Sequence, residues 1–298
     1  MPSAVVFAYH NVGVRCLQAL LARGVDVRLV VTHEDTPGEN IWFASVKTLA
    51  EELGLPVITP DDPNTDQIVA RVRAAQPDFL FSFYYRQMLQ PSLLRIPPRG
   101  AYNMHGSLLP KYRGRVPVNW AIIQGETETG ATLHVMAEKP DAGAIADQTA
   151  VPILPNDTAR EVFDKVVVAA EITLSRCLPA LLNGRATFTP QDLSQGGYFG
   201  ARKAADGRID WALPARDIHN LVRGVTRPYP GAFSDTAQGR LVLWRTLLLP
   251  ATDAGAPALM LKDSHIIARC GSGGALRILE AELNGQTLTP ALLPVALN

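Results

Sequence analysis

Asn103, His105 and Ser107 alternate in the run Asn103-Met104-His105-Gly106-Ser107. On an extended backbone successive side chains point to opposite faces, so these three polar groups share one side. Ala101–His105 reads as a short strand, and the C-terminal ends of strands are where open α/β sheets bind ligands. A neutral imidazole placed there can take a proton from an attacking amine, and an amide N–H can stabilise a developing oxyanion. An isolated His at a strand end reads more simply as a residue that closes the strand by bonding a loop. The Asn two positions earlier and the Gly-Ser turn that follows favour chemistry instead.

The next residues, Leu108-Leu109-Pro110-Lys111-Tyr112-Arg113-Gly114-Arg115, bring three cations together without an acid. A phosphate or carboxylate would find a favourable field there, although charge alone describes a solvated basic loop equally well. Asp141 lies in Lys139-Pro140-Asp141-Ala142-Gly143. Its composition marks a turn, but a carboxylate paired with His105 could fix the tautomer and raise the imidazole pKa. Tyr9-His10-Asn11-Val12-Gly13 lacks the spacing of a dinucleotide-binding loop. His33, His134, His219 and His265 show no mutual ligand spacing, so structural or surface roles are expected of them and no metal site is expected. Phe83-Tyr84-Tyr85-Arg86 could recognise a ring or simply end a strand in the core.

These residues need a scaffold, and the first half of the chain alternates short β-branched runs with longer amphipathic ones, the pattern of a Rossmann-like α/β sheet. Strands are expected over Ala4–Ala8, Val25–Val31, Phe79–Phe83, Ala101–His105, Ala131–Val135 and Ile145–Pro152. Helices are expected over Val12–Ala22, Ser45–Leu53, Thr65–Gln76 and Pro117–Gln124. Thr158-x-x-Glu161 is a capping box, and Phe163, Val166, Val167, Ala170, Leu174, Leu178 and Leu181 then form one helical stripe. The Gly-rich and polar stretch 191–210 reads as a connector. Beyond it one helix, Ala215–Val225, and strands near Leu241–Trp244, His265–Ala268 and Ala275–Leu279 predict a smaller β-rich domain. The expected domains are 1–203 and 204–298.

Composition narrows the function classes. The 298 residues carry 28 Lys+Arg against 28 Asp+Glu, so the field of a general nucleic-acid binder is absent. Residues 201–298 hold 11 Lys+Arg against 8 Asp+Glu, too small a surplus for a polyanion surface. No run reaches the ~18 apolar residues of a membrane span, and no basic residue precedes the first apolar run. Three scattered cysteines, Cys16, Cys177 and Cys270, suit a reducing cytoplasm.

With Asn103-Met104-His105-Gly106-Ser107-Leu108-Leu109-Pro110 and the Asp141-Ala142-Gly143 turn, the sequence resembles the folate-dependent formyltransferase family. The likeness runs through the whole chain and implies a Rossmann-like N-terminal domain, an OB-like C-terminal domain and 10-formyltetrahydrofolate as formyl donor. It implies His105 as general acid/base, Asn103 as the group that stabilises the oxyanion, and Asp141 as the partner of His105. It places folate contacts on Gln87, Met88 and Leu89 and on Ala137, Glu138, Lys139, Pro140 and Asp141, with Arg115 at the folate or substrate site.

Within the family, Val5–His10, Phe81–Arg86, His105–Arg115, Gly125–Gly130, Phe199-Gly200 and Pro228–Phe233 are most similar to the branch that formylates UDP-4-amino-4-deoxy-L-arabinose in lipid A modification. The bifunctional members of that branch continue into an NAD-dependent decarboxylase, whereas this sequence stops at Asn298, so formyl transfer alone is expected, with a separate decarboxylase as possible partner. The expected acceptor is a nucleotide-sugar, with no nucleic acid or membrane partner. The alternatives are methionyl-tRNA formyltransferase, which the neutral charge disfavours, a formyltransferase for another nucleotide-linked amino sugar, and an inactive folate binder, which the intact trio disfavours.

Overall fold

The computed structural model describes residues 1–36, 38–250, 256–293, 295 and 297. Strands and helices alternate from the start: β1 (Ser3–Ala8), α1 (His10–Ala22), β2 (Asp26–Val31), α2 (Val46–Glu52), β3 (Val57–Ile58), α3 (Asp66–Ala74), β4 (Phe79–Phe83), α4 (Pro91–Leu94) and β5 (Ala101–His105). Every residue of β1 and β4 is buried. Such continuous burial belongs to parallel strands covered on both faces. On α1 the residues Val12, Cys16, Leu17 and Leu20 recur at helical spacing and are fully buried. The helix stops where Gly24 takes a φ of 71°. There Gly24 N–H donates to the Leu21 carbonyl and Val25 N–H to the Leu20 carbonyl, a Schellman closure that favours glycine at the left-handed position.

The chain continues through β6 (Arg113–Gly114), α5 (Pro117–Ile123), β7 (Glu128–Val135), β8 (Ile145–Pro152), α6 (Ala159–Leu182) and β9 (Tyr198–Phe199). The main sheet runs β3-β2-β1-β4-β5-β7-β8. Its β2·β3, β1·β2, β1·β4 and β4·β5 pairs are parallel, while β5·β7 is antiparallel. The order reverses between β1 and β4, so the C-terminal ends of these strands flank the crevice that such a switch creates. The capping box at α6 forms as expected, with Glu161 accepting from Thr158 N–H at 2.7 Å and Thr158 Oγ1 accepting from Glu161 N–H at 3.4 Å. The predicted stripe from Phe163 to Leu181 is buried throughout. Pro179 lies inside α6 and cannot bond the Ser175 carbonyl. The Arg23 guanidinium donates to that carbonyl at 3.4 Å instead.

The second half carries α7 (Ala215–Val225), β10 (Ala232–Thr236), β11 (Gly239–Leu249), β12 (Ala258–Lys262), β13 (His265–Arg269), β14 (Ala275–Leu283) and β15 (Gln286–Thr287). These strands make an antiparallel sheet in the order β10-β11-β14-β13-β12, with β15 on β14. Trp211, Ile218, Val222, Leu241, Leu243 and Leu276 lie in its core. By contacts one unit comprises Met1–Pro117, Thr129–Val151 and Asp164–Phe199, and the other Val118–Glu128, Pro152–Phe163 and Gly200–Asn298. The expected division between Lys203 and Ala204 is a single cut, whereas two short segments of the first half pack within the second unit.

Two differences from the sequence reading have physical causes. The strand predicted over Leu241–Trp244 runs from Gly239 to Leu249; its continuation is hidden in the sequence because register shifts between Leu243 and Thr246 break the alternation that marks a strand. The stretch 191–210 is more than a connector, since Tyr198-Phe199 pairs in parallel with Arg113-Gly114. A two-residue strand has no period to read. Among the described residues no helix is long and apolar enough to cross a membrane.

Candidate active site

Strand β5 lies between β4 and β7, and its two neighbours supply the site's walls. In the β5·β7 register Asn103 faces His134 and His105 faces Thr132. Directly opposed residues of an antiparallel pair project from the same face, so the four side chains share it. After β7 the chain turns at the opposite end of β5, where Met136 N–H donates to the Ala101 carbonyl at 2.8 Å. The following loop folds back over the sheet face. A Cβ on Gly143 would stand 1.9 Å from the Val135 carbonyl oxygen, so only glycine admits that approach. Gln191 ties the fold-back down, its amide N–H group donating to the carbonyls of Asp141 at 3.1 Å and Gly143 at 2.6 Å.

The loop delivers Asp141 into the space between the two histidines. Its Oδ1 is 3.6 Å from His105 Nδ1 and 3.5 Å from His134 Nε2. Its Oδ2 accepts the Gly114 backbone N–H at 2.9 Å. Burial pushes the Asp141 carboxyl up, but His105 and His134, when their rings are charged, and the Gly114 N–H together outweigh it and hold the carboxyl well below the usual carboxylate range. His105 is buried, and its Nε2 is 2.8 Å from the Tyr112 carbonyl oxygen. A carbonyl accepts only, so Nε2 carries the hydrogen in that contact. Asn103 Nδ2 lies 3.2 Å from His134 Nε2.

The backbone around these groups is strained. Tyr84, Tyr112, Val116 and Asp141 have φ of 58°, 55°, 47° and 51°. Each such residue costs on the order of 1–3 kcal/mol and persists where surrounding contacts over-determine it, commonly at functional sites.

The other predicted residues divide into two groups. Gln87, Met88 and Leu89 follow the C-terminal end of β4, which pairs Phe83 with Met104 and so brings Tyr84 beside His105. The Tyr84 hydroxyl packs against Gly106. Arg115 reaches the same segment, its guanidinium donating to the Arg86 carbonyl at 3.3 Å. Gln87 donates its amide to the Asp61 carbonyl at 2.6 Å, and the Met88 carbonyl accepts from Asn64 at 3.0 Å. Leu89 is buried in the core while Met88 is exposed. Across the site Ala137, Glu138 and Lys139 are exposed, Pro140 is half-buried, and Glu138 pairs with Arg95 at 3.3 Å.

The basic loop is not three free cations. Arg113 is buried and donates to the carbonyls of Leu193 at 3.3 Å and Gly196 at 3.1 Å, holding the 193–196 turn. Ser107 does not continue the row of Asn103 and His105, because β5 ends at His105 and the Ser107 hydroxyl donates to the Lys111 carbonyl at 2.7 Å. Sequence reasoning gave His134 only a structural or surface role and assigned none to Tyr112, Gly114 or Gln191. For His134 a signal existed in its alternation with Thr132, but the register that sets it opposite Asn103 is a tertiary fact. Near β1, β2 and β4, His33 stacks on Tyr85 at 4.1 Å and the Arg86 guanidinium lies 4.5 Å over the Tyr9 ring.

A family model described as Formyl transferase matches residues 5–178, and one described as Formyl transferase, C-terminal domain, matches residues 202–292. The chain belongs to the formyl transferase family. Solved structures share the fold of this formyltransferase. The N-formyltransferase from Helicobacter canadensis, in complex with folinic acid and dTDP-3-aminofucose, is 20% identical, with 97% of this chain and 100% of that chain covered and a TM-score of 0.73. WlaRD, a sugar 3N-formyl transferase solved in the presence of dTDP and 5-N-formyl-THF, is 21% identical, with 97% and 98% covered and a TM-score of 0.73. A 4-N formyltransferase from Francisella tularensis is 21% identical, with 80% and 94% covered and a TM-score of 0.65.

Proposed function

We propose that this formyltransferase moves the formyl group of 10-formyltetrahydrofolate to the amine of a nucleotide-linked amino sugar, with UDP-4-amino-4-deoxy-L-arabinose as acceptor. The observation that carries the reading is the meeting of Asn103, His105 and Asp141 on one face at the end of β5, next to the exposed 87–88 segment. The structural relatives crystallised with folates and with a dTDP-linked amino sugar support the substrate classes. The motifs around His105–Arg115 and Gly125–Gly130 support the arabinose branch. Three buried free cysteines suit a reducing, cytoplasmic setting.

The amine attacks the formyl carbon, the bond from that carbon to the folate nitrogen breaks, and the amine proton passes to the departing nitrogen. Asn103 donates an amide N–H to the formyl oxygen as negative charge develops there. His105 has two settings. With the hydrogen on Nε2 it is held by the Tyr112 carbonyl; with the hydrogen on Nδ1, toward Asp141, Nε2 has no bond to give that carbonyl, and once the ring turns out of the contact Nε2 becomes a base for the amine proton. Gln87, Met88 and Leu89, the 137–141 loop and Arg115 would hold the donor. Mass analysis of the acceptor after incubation with 10-formyltetrahydrofolate tests the reading: formylated sugar that is missing with His105→Ala supports it. Product on methionyl-tRNA alone would move the chain to the other branch.

A further inference from the structure

We infer that His134 is a positioning residue that sets which way the Asn103 amide faces, and thereby supplies the oxyanion donor; this rests on the reading of Asn103 given above. His134 is buried in the middle of β7, at 2% exposure. Its Nδ1 lies 2.9 Å from the Val135 carbonyl oxygen, which can only accept, so Nδ1 carries the ring hydrogen. With the hydrogen on Nδ1 alone, Nε2 presents a bare lone pair, 3.2 Å from Asn103 Nδ2 and 3.5 Å from Asp141 Oδ1. A lone pair cannot meet the amide oxygen, so it selects the nitrogen. One N–H of Asn103 is committed to His134, and the second is left for the site. With an apolar side chain at 134, the amide could turn its oxygen to the site, where it would repel the developing charge instead of stabilising it.

The neighbouring position shows that not every polar side chain on this face acts in this way. Thr132, opposite His105, is fully engaged in scaffolding: its hydroxyl donates to the Ser107 carbonyl at 2.6 Å and accepts from Leu109 N–H at 3.2 Å and Gln148 at 2.8 Å. His134 is placed differently: its Nε2 meets Asn103 at 3.2 Å and stands 3.5 Å from Asp141 on the fold-back loop. A core-filling role needs no nitrogen there.

The test is a double-mutant cycle on kcat with 10-formyltetrahydrofolate and the amino sugar. Asn103→Ala should lower kcat by about 10²–10³-fold, as loss of an oxyanion donor does. His134→Leu should lower kcat by at least ~10-fold with donor KM little changed, and add nothing in the Asn103→Ala background. His134→Gln, whose amide oxygen can accept from Asn103, should recover most of the loss. Normal kcat in His134→Leu, or losses that multiply in the double variant, would overturn the inference while leaving the role of Asn103 intact. Normal kcat in Asn103→Ala would overturn that role and the inference together. Nitrogen-15 spectra of labelled histidine give a readout that does not need His134→Leu to fold: the His134 Nε2 resonance should move in Asn103→Ala, and an unmoved resonance contradicts the contact.

Discussion

Asp141 Oδ1 lies 3.6 Å from His105 Nδ1 because the loop after β7 folds back across the face of β5. The carboxylate is therefore placed by a hairpin that starts at the far end of that strand. Asp141→Asn keeps the shape and removes the charge, so no carboxylate favours the Nδ1–H form of His105. Its kcat should fall by about 10²–10⁴-fold, the scale of a misplaced tautomer or lost general base, with donor KM changed far less. Steady-state kinetics would check this.

The same carboxyl should mark acid stability. Its folded value lies below the unfolded one, so the unfolded chain binds more protons and stability rises with pH. That contribution is present above the unfolded value of about 3.9 and is lost as pH falls through the folded one. Thermal melts below about pH 4 should therefore lose less in Asp141→Asn than in the parent chain.

Gly143→Ala tests the fold-back itself. The new Cβ would meet the Val135 carbonyl, which is main chain and cannot move aside. The loop should lift, and kcat should drop at least ~10-fold, as small misplacements of catalytic groups do. A circular dichroism spectrum should remain that of the parent. Unchanged kcat would mean that Asp141 does not depend on this approach.

His33 gives a second pH signature away from the catalytic trio. Burial, aided by Arg86 and opposed by Glu39, lowers it from 6.5 to about 4. Its Nε2 accepts the Arg86 backbone N–H at 3.1 Å, a bond that protonation at that nitrogen breaks. Here too the unfolded state binds more protons, so stability is full above about pH 6.5 and declines as pH falls toward 4. His33→Gln should flatten the dependence of the melting midpoint on pH in that window.

Arg115 should act through binding. Its guanidinium is exposed and bonded to the Arg86 carbonyl beside the 87–89 segment. Arg115→Ala should raise the KM of donor or acceptor by about tenfold, one lost charge-assisted hydrogen bond, with kcat little altered. Initial rates with each substrate varied in turn would show which.

The scaffold was legible where burial leaves a long trace. Phe79–Phe83, Ala101–His105 and Ala215–Val225 run as the apolar patterns imply. Asn103 and His105 could be set on one face by alternation alone. Asp141 could be marked as a turn residue and a candidate partner of His105 but not placed, because its approach depends on the close packing at Gly143 and on the Gln191 amide, 50 residues away. His134 was read as structural or surface for the same reason: antiparallel pairing sets it against Asn103, and no local spacing in β7 records that register. Arg113 misled in the other direction, since a cation in a basic loop gives no hint of carbonyls gathered around it by residues 193–196.

The most direct test is a single-turnover reaction of the purified chain with 10-formyltetrahydrofolate and UDP-4-amino-4-deoxy-L-arabinose, read by mass, with Asn103→Ala, His105→Ala and Asp141→Asn run alongside. Formylated sugar and tetrahydrofolate should appear in equal amounts with the parent chain and fall steeply in all three variants. Transfer that proceeds unchanged in those variants would contradict the assignment of the chemistry to this face of β5.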